Sequence, residues 1–353
     1  MNVISATASA SPREGMNDLY QKIYKYVYEI QMIEIDEYLY GMNRKKIDTE
    51  KAYELIIDAL DSDSSAIANV WKGRLSDPEF SSYKSNRVEK DEIRANAFYR
   101  RALDLDIEGM AKSGDKYAQM HLGWMYNNGR GVNENNSLAV KWFRKAAEQG
   151  YADAQWYMGL VYEIGDGVFL NYSIAAGWYR KAEEQGHAGA QYNLGLMHHY
   201  GAGVDQRSSL EFECYRKAAE QGYASAQDSL GRMYEHGYGG DQNYSIAMEW
   251  YRKAADQGYP NTQDHLGCMY EHGWGVDQNY SSAMEWYRKA ADQGYAHTQI
   301  RLGEMYENGR GVDQNYSSAM EWYRKAADQG YAVAQSHLHR LTKRQRRMER
   351  KDL

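Results

Sequence analysis

Cysteine, proline and long apolar runs are scarce in this chain, and each shortage removes a class of protein. Only Cys214 and Cys268 occur in 353 residues, so there is no disulfide framework of the kind that staples small secreted domains. Three prolines leave few interruptions for helices. Met1 to Gly15 is small and polar and carries nothing like the apolar core of a secretory signal. No apolar stretch approaches the roughly 18 residues that a membrane span needs. A net charge of -7 is modest for this length and argues against nucleic acid as a direct partner. These absences point to a soluble cytoplasmic protein of a reducing compartment, while the 33 tyrosines supply wide amphipathic contacts.

What is abundant is repetition. Gly150, Gly186, Gly222, Gly258, Gly294 and Gly330 recur every 36 residues, each closing a phrase such as Trp286-Tyr287-Arg288-Lys289-Ala290-Ala291-Asp292-Gln293-Gly294. Such a period marks a solenoid, because one copy cannot bury its apolar face until a neighbour stacks on it. Within Tyr259 to Gly294, Leu266, Met269 and Tyr270 at helical spacing predict a first helix over 260–272. Gly273-Trp274-Gly275-Val276 stops it, Asn279 caps a second helix carrying Ala283, Trp286, Tyr287 and Ala290, and Gly294 ends that one. The expected fold is all-α, an α-solenoid of 36-residue helix-turn-helix repeats.

Gly123, Gly159, Gly195, Gly231, Gly267 and Gly303 recur inside first helices, and Ala146, Ala182, Ala218, Ala254, Ala290 and Ala326 inside second helices. A glycine within a helix costs about 1 kcal/mol relative to alanine, so its recurrence implies a close helix–helix approach. After Gly330 only a first helix follows, over 332–341, and His339 stands in the glycine's place.

The array is expected over 115–341, as six full units and a half, followed by a basic tail over 342–353. Residues 1–15 read as disordered, and 16–114 as an irregular helical N-terminal cap. Within the cap, helices are expected over 16–40 and near 50–60, and 81–88 reads as a loop. Ser64 to Leu75 and Asp91 to Leu105 echo a degenerate repeat. Phe98-Tyr99-Arg100-Arg101-Ala102 imitates the second-helix phrase, with about eight residues inserted before its counterpart at Trp142.

The units resemble the Sel1-like repeat family, relatives of the tetratricopeptide repeats. The resemblance rests on Ala152-Asp153-Ala154-Gln155, Met158-Gly159-Leu160-Val161-Tyr162, Gly165-Asp166-Gly167-Val168, then Ala175, Trp178, Tyr179, Lys181, Ala182 and Gly186. Departures are Gly240 for the turn valine, and Glu211, Cys214 and His198 for Ala, Trp and Tyr in the third unit. The resemblance implies that first helices line a concave groove.

Three first-helix positions on one face vary between copies where a core position would hold its chemistry. They read Met120, Trp124, Asn128; Trp156, Leu160, Ile164; Tyr192, Leu196, Tyr200; Asp228, Arg232, His236; Asp264, Cys268, His272; and Ile300, Glu304, Asn308. The first three copies are mostly apolar and the last three mostly polar. The expected partner is therefore a protein or peptide whose apolar anchors precede charged residues, with Met120, Trp124, Trp156, Leu160, Ile164, Tyr192, Leu196, Tyr200, Asp228 and Arg232 as contacts. The competing reading is that the apolar positions pack against the N-terminal cap.

Other signals reduce to structure. The Gly-x-Gly turns, as at Gly129 and Gly131, have no preceding strand and no Lys-Ser/Thr, which excludes a nucleotide loop. Asn-x-Ser at Asn135, Asn171, Asn243, Asn279 and Asn315 reads as helix capping. Asp264, Cys268 and His272 share a face but spread too far along it to hold one ion, and His198 with Cys214 reads as compensating core substitution rather than a catalytic pair. No metal, cofactor or catalytic residue is expected. The tail from Lys343 to Lys351 is basic, as a solvated helix extension or as a signal for an acidic partner or a nuclear import receptor.

The function expected is a non-catalytic adaptor or scaffold. The resemblance also brings in adaptors of membrane-protein degradation and activators of chitin synthase, whose signal peptide, membrane anchor or prenylation motif this chain does not display. An alternative is a regulatory or targeting subunit of a kinase, the chain carrying no His-Arg-Asp phrase of its own. Behind both stands a repeat-based hydrolase, whose paired cysteines in each unit are absent here.

Overall fold

The computed structural model describes residues 66–77 and 91–349. The expectations for 1–15, 16–40, 50–60 and 81–88, and for the end of the basic tail, lie outside those residues. All regular structure among the described residues is helical. It opens with α1 (Ala66–Ser76), α2 (Glu92–Asp104) and the short α3 (Ile107–Lys112). Six first-and-second-helix pairs follow: α4 (Lys116–Asn128) and α5 (Asn136–Glu148), α6 (Ala152–Ile164) and α7 (Tyr172–Glu184), α8 (Ala188–Tyr200) and α9 (Ser208–Glu220). Then come α10 (Ala224–His236) and α11 (Tyr244–Asp256), α12 (Pro260–His272) and α13 (Tyr280–Asp292), α14 (Ala296–Asn308) and α15 (Tyr316–Asp328), and a lone α16 (Ala332–Glu349). The chain is thus an α-solenoid of helix hairpins. It divides into two compact units, Met1–Gln206 and Arg207–Leu353. The division falls inside the third copy, where the repeat pattern departs most and where Arg207 replaces the capping asparagine without a side-chain cap.

In the first unit one apolar core runs from Ala66 and Trp71 through Tyr99, Ile107, Leu122 and Phe143 to Met158 and Val161, so the helices before the array share its core. The second unit repeats a smaller core, such as Tyr251 with Leu266 and Met269, or Tyr287 with Leu302 and Met305.

Five of the six hairpins close on the helical glycine. A Cβ on Gly159 would stand 2.3 Å from the Tyr179 ring, and one on Gly267 would stand 2.3 Å from Tyr287. Phe143 lies in the same way on Gly123, Tyr251 on Gly231 and Tyr323 on Gly303. The glycine is therefore a seat for the aromatic ring of its own second helix. That is why His339, in a first helix with no second one described after it, can replace it. The tyrosine hydroxyl is anchored by the acid four residues after the glycine: Tyr179 donates to Glu163, Tyr251 to Glu235, Tyr287 to Glu271 and Tyr323 to Glu307. Phe143 has no hydroxyl, and Asn127 stands in the acid's place. The same device joins α1 and α2, where Tyr99 covers Gly73 and donates to Asp77 at 3.2 Å. The degenerate copy is therefore a full hairpin, and the about eight inserted residues are taken up by α3.

A glutamine ladder satisfies the helix ends, whose last carbonyls have no partner within their own helix. Gln155 donates to the Ala147 carbonyl of the preceding second helix and accepts from Gln185 at 2.8 Å. Gln263 does the same with Ala255 and Gln293. Asn135, Asn171, Asn243, Asn279 and Asn315 each accept a backbone N–H at 3.0 Å, which gives the sequons their capping role.

Candidate interaction site

The variable first-helix positions of the first unit separate into two groups. Met120 and Trp124 are buried, at 0% and 3% exposure. Trp124 lies against Tyr99 with ring centres 5.8 Å apart, and the Arg74 guanidinium lies 4.7 Å from the Trp124 ring and 4.2 Å from that of Trp71. For these two the groove expectation is corrected: they pack against α1 and α2, because the helices before the array need an apolar wall to dock on.

From α6 onward the positions open. Trp156, Leu160, Tyr192 and Leu196 are half-buried, while Ile164 and Tyr200 are 71% and 73% exposed. The Trp156 indole stacks on His187 with centres 5.3 Å apart and donates to Asn193 Oδ1 at 3.0 Å. Asn193 in turn donates to Glu163, which also holds Tyr179. A polar relay thus fixes the indole beside an apolar strip. Beneath it, Asp153 and His187 are fully covered, and the His187 ring accepts the Ala190 N–H as a helix cap.

In the second unit the polar positions hold one another. Asp228, 8% exposed, accepts from the Thr262 hydroxyl at 2.9 Å and lies 3.8 Å from Arg232. Asp264 accepts from Thr298 at 2.9 Å and pairs with Arg301 at 3.4 Å. The substitutions are coupled. Copies with an apolar residue at this position (Met120, Trp156, Tyr192, Ile300) carry alanine 34 residues on, at Ala154, Ala190, Ala226 and Ala334, whereas the two aspartates face threonines. Asp228 thus takes part in repeat stacking through the threonine of the next copy. Arg232 keeps about half its side chain exposed.

Asp264, Cys268 and His272 do not converge. His272 Nδ1 lies 2.9 Å from the Cys268 carbonyl, and the Cys268 thiol, its pKa raised by burial, lies 3.3 Å from the Tyr287 hydroxyl. No group of three or more His, Cys, Asp or Glu side chains among the described residues is arranged to hold a metal ion. His198 bonds the Asp205 carbonyl of its own turn. In the tail, Arg344 lies over the Tyr316 ring at 4.4 Å, so the basic segment begins as the last turns of α16.

One position went unmarked in the sequence: His121, Tyr157, Asn193, Ser229, His265, Arg301 and His337, two residues before the helical glycine or its replacement. Asn193 and Arg301 bridge to the preceding first helix, and His337 lies 3.7 Å from Glu307. Its variation from copy to copy was the available signal.

A family model for the Sel1 repeat matches at residues 36–59, 82–107, 116–151, 152–187, 188–223, 224–259, 261–295 and 296–331. The chain belongs to the Sel1 repeat family. Two of the matched Sel1 stretches precede the regular array, and 82–107 includes α2. Among solved structures, the chain is similar to a protective antigen present in uropathogenic Escherichia coli strains, described as displaying an SLR fold. That likeness has 33% identity and a TM-score of 0.61, over 93% of this chain and 67% of the antigen. It is also similar to a Sel1 repeat protein from Oxalobacter formigenes, at 31% identity and a TM-score of 0.59, over 67% of this chain and 94% of that one. No curated protein matches the sequence. Sel1 repeats are generally protein–protein interaction modules, and no helix among the described residues is long and apolar enough to cross a membrane.

Proposed function

We propose that this Sel1 protein is a non-catalytic adaptor that holds a partner peptide on the first-helix face of its first unit. Trp156, Leu160, Ile164, Tyr192, Leu196 and Tyr200 would take its apolar anchors. One observation carries this reading: consecutive copies leave Ile164 and Tyr200 about three-quarters exposed at the same position, on the first-helix face that also carries Trp156, whose indole is held by Asn193. Aromatic residues held in place in this way are the usual anchors of peptide recognition.

The test is affinity purification from the native cell with an Ile164→Asn/Tyr200→Asn variant. Asn128 and Asn308 hold this position in other copies, so the variant keeps a side chain that the fold accepts. A partner lost at unchanged melting temperature supports the reading. A partner retained by the folded variant removes this face from recognition.

A further inference from the structure

The second copy breaks the pattern of its siblings at the turn between its helices. Elsewhere the two residues before the cap position are polar: Asn133-Glu134, Asp205-Gln206, Asp241-Gln242, Asp277-Gln278 and Asp313-Gln314. Here they are Phe169-Leu170. In four of the other five copies the second residue is a glutamine that donates back to a first-helix carbonyl: Gln206 to His199 at 2.7 Å, and Gln242, Gln278 and Gln314 to Glu235, Glu271 and Glu307 at 2.8 Å. Leu170 cannot make that bond. The second copy has given up a helix-end hydrogen bond and received two apolar side chains, with Phe169 96% exposed and Leu170 51% exposed.

Tyr172 and Ile174, at the start of α7, continue the patch at 40% and 42% exposure. Together the four side chains present on the order of 500 Å² per chain, at the upper end of the largest patch on an ordinary monomer. Beside this knob lies a hollow of about 590 Å³, walled by Leu138, Val140, Trp142 and Val168 with Lys141 and Arg144 among its lining. Val168 is the residue before Phe169, so knob and hollow lie side by side on one surface. A two-fold dimer would use both, since residue i of one copy must meet residue j of the other while j meets i. Two patches of this size, with the hollow walls, pass the roughly 1,000 Å² of total buried surface that marks a specific interface. The guanidinium and ammonium groups of the hollow complement the negative face of an inserted phenyl ring.

We propose that this surface is a self-association site, in which Phe169 of one copy enters the Leu138–Trp142–Val168 hollow of a second copy, and reciprocally. It uses neither Ile164 nor Tyr200, so its failure and that of the peptide-binding face are distinguishable.

Sedimentation equilibrium of the full chain over the micromolar range tests it. The expected species is a reversible dimer of twice 40.7 kDa. Phe169→Asp/Leu170→Gln installs the turn of the other copies, and Leu138→Glu alters a position held by Ser282 and Ser318 in later copies, so both variants should fold. Each alone should weaken the dimer by about tenfold or more. Mixed together they should associate more tightly than either alone, because one intact knob then meets one intact hollow. A wild-type chain that stays monomeric overturns the proposal, as does a dimer indifferent to both variants. So does a monomer whose Phe169 variant loses a different cellular protein, which would make the patch a foreign partner's site.

Discussion

Replacing Gly159 with alanine sets two effects of opposite sign against each other. Within a helix the exchange should stabilise by up to about 1 kcal/mol, since glycine is the poorer helix former. Against it stands the seat: the new methyl carbon would lie 2.3 and 2.4 Å from two ring carbons of Tyr179 and 2.8 Å from a third. Tyr179 is fully buried and its hydroxyl is held by Glu163, so the ring has little room to retreat. Overpacking of this kind costs about 1–3 kcal/mol, and overlap this deep belongs to the upper half of that range. The net expectation is destabilisation by about 1–2 kcal/mol. Gly177, on the helix that carries Tyr179, provides the control, because a Cβ there would meet nothing within 4 Å. Gly177→Ala should gain up to about 1 kcal/mol. Urea midpoints would compare the two, with amide exchange of α6 and α7 followed alongside because repeat arrays open locally. A Gly159→Ala protein as stable as Gly177→Ala would refute the seat as the reason for the glycine.

Three further outcomes are expected. Thr298→Val, which leaves Asp264 without its hydroxyl donor, should cost about 1 kcal/mol, and a double-mutant cycle with Asp264→Ala should show the two changes to be non-additive. Gln263→Leu strips the Ala255 carbonyl of its buried donor and should cost about 1–3 kcal/mol, read as faster amide exchange at the junction of α11 and α12. Partial burial would raise the Glu307 carboxyl, but hydrogen bonds from Arg340 and Tyr323 outweigh it and hold the pKa below the ordinary 4.5. A depressed carboxyl contributes stability above its ordinary value and loses it as pH falls through the folded value. Amide exchange in α16 should therefore accelerate below about pH 4.5 in the native chain, and Glu307→Gln should remove that acid-dependent step.

The hairpins were legible because their determinants are local and copied: glycine stops, asparagine caps and a helical period, repeated until chance is excluded. The predicted 260–272 helix and the Asn279 cap coincide with α12 and α13. The purpose of the helical glycine was half legible. Close approach followed from its cost, but the ring it seats lies on the following helix, and only packing identifies it. The candidate face was the least legible part. Variation between copies identifies positions free of the repeat's own rules, yet it does not separate a position free for a ligand from one specialised for its neighbour. Trp124 varies because α1 and α2 dock on it, and Asp228 varies because Thr262 stands across from it. The coupled change was present in the sequence at a separation of 34 residues, visible only to a comparison of pairs.

That coupling gives the array joints of different gauge. A copy is most readily removed where the two ends left behind still match. Excising residues 260–295 would bring Asp228 opposite Thr298, the same acid–hydroxyl joint that was there before. Excising 296–331 would set Asp264 against Ala334 and strand a carboxylate. The first of these cuts preserves the joint and the second replaces it, so the joints make some copies cheaper to gain or lose than others.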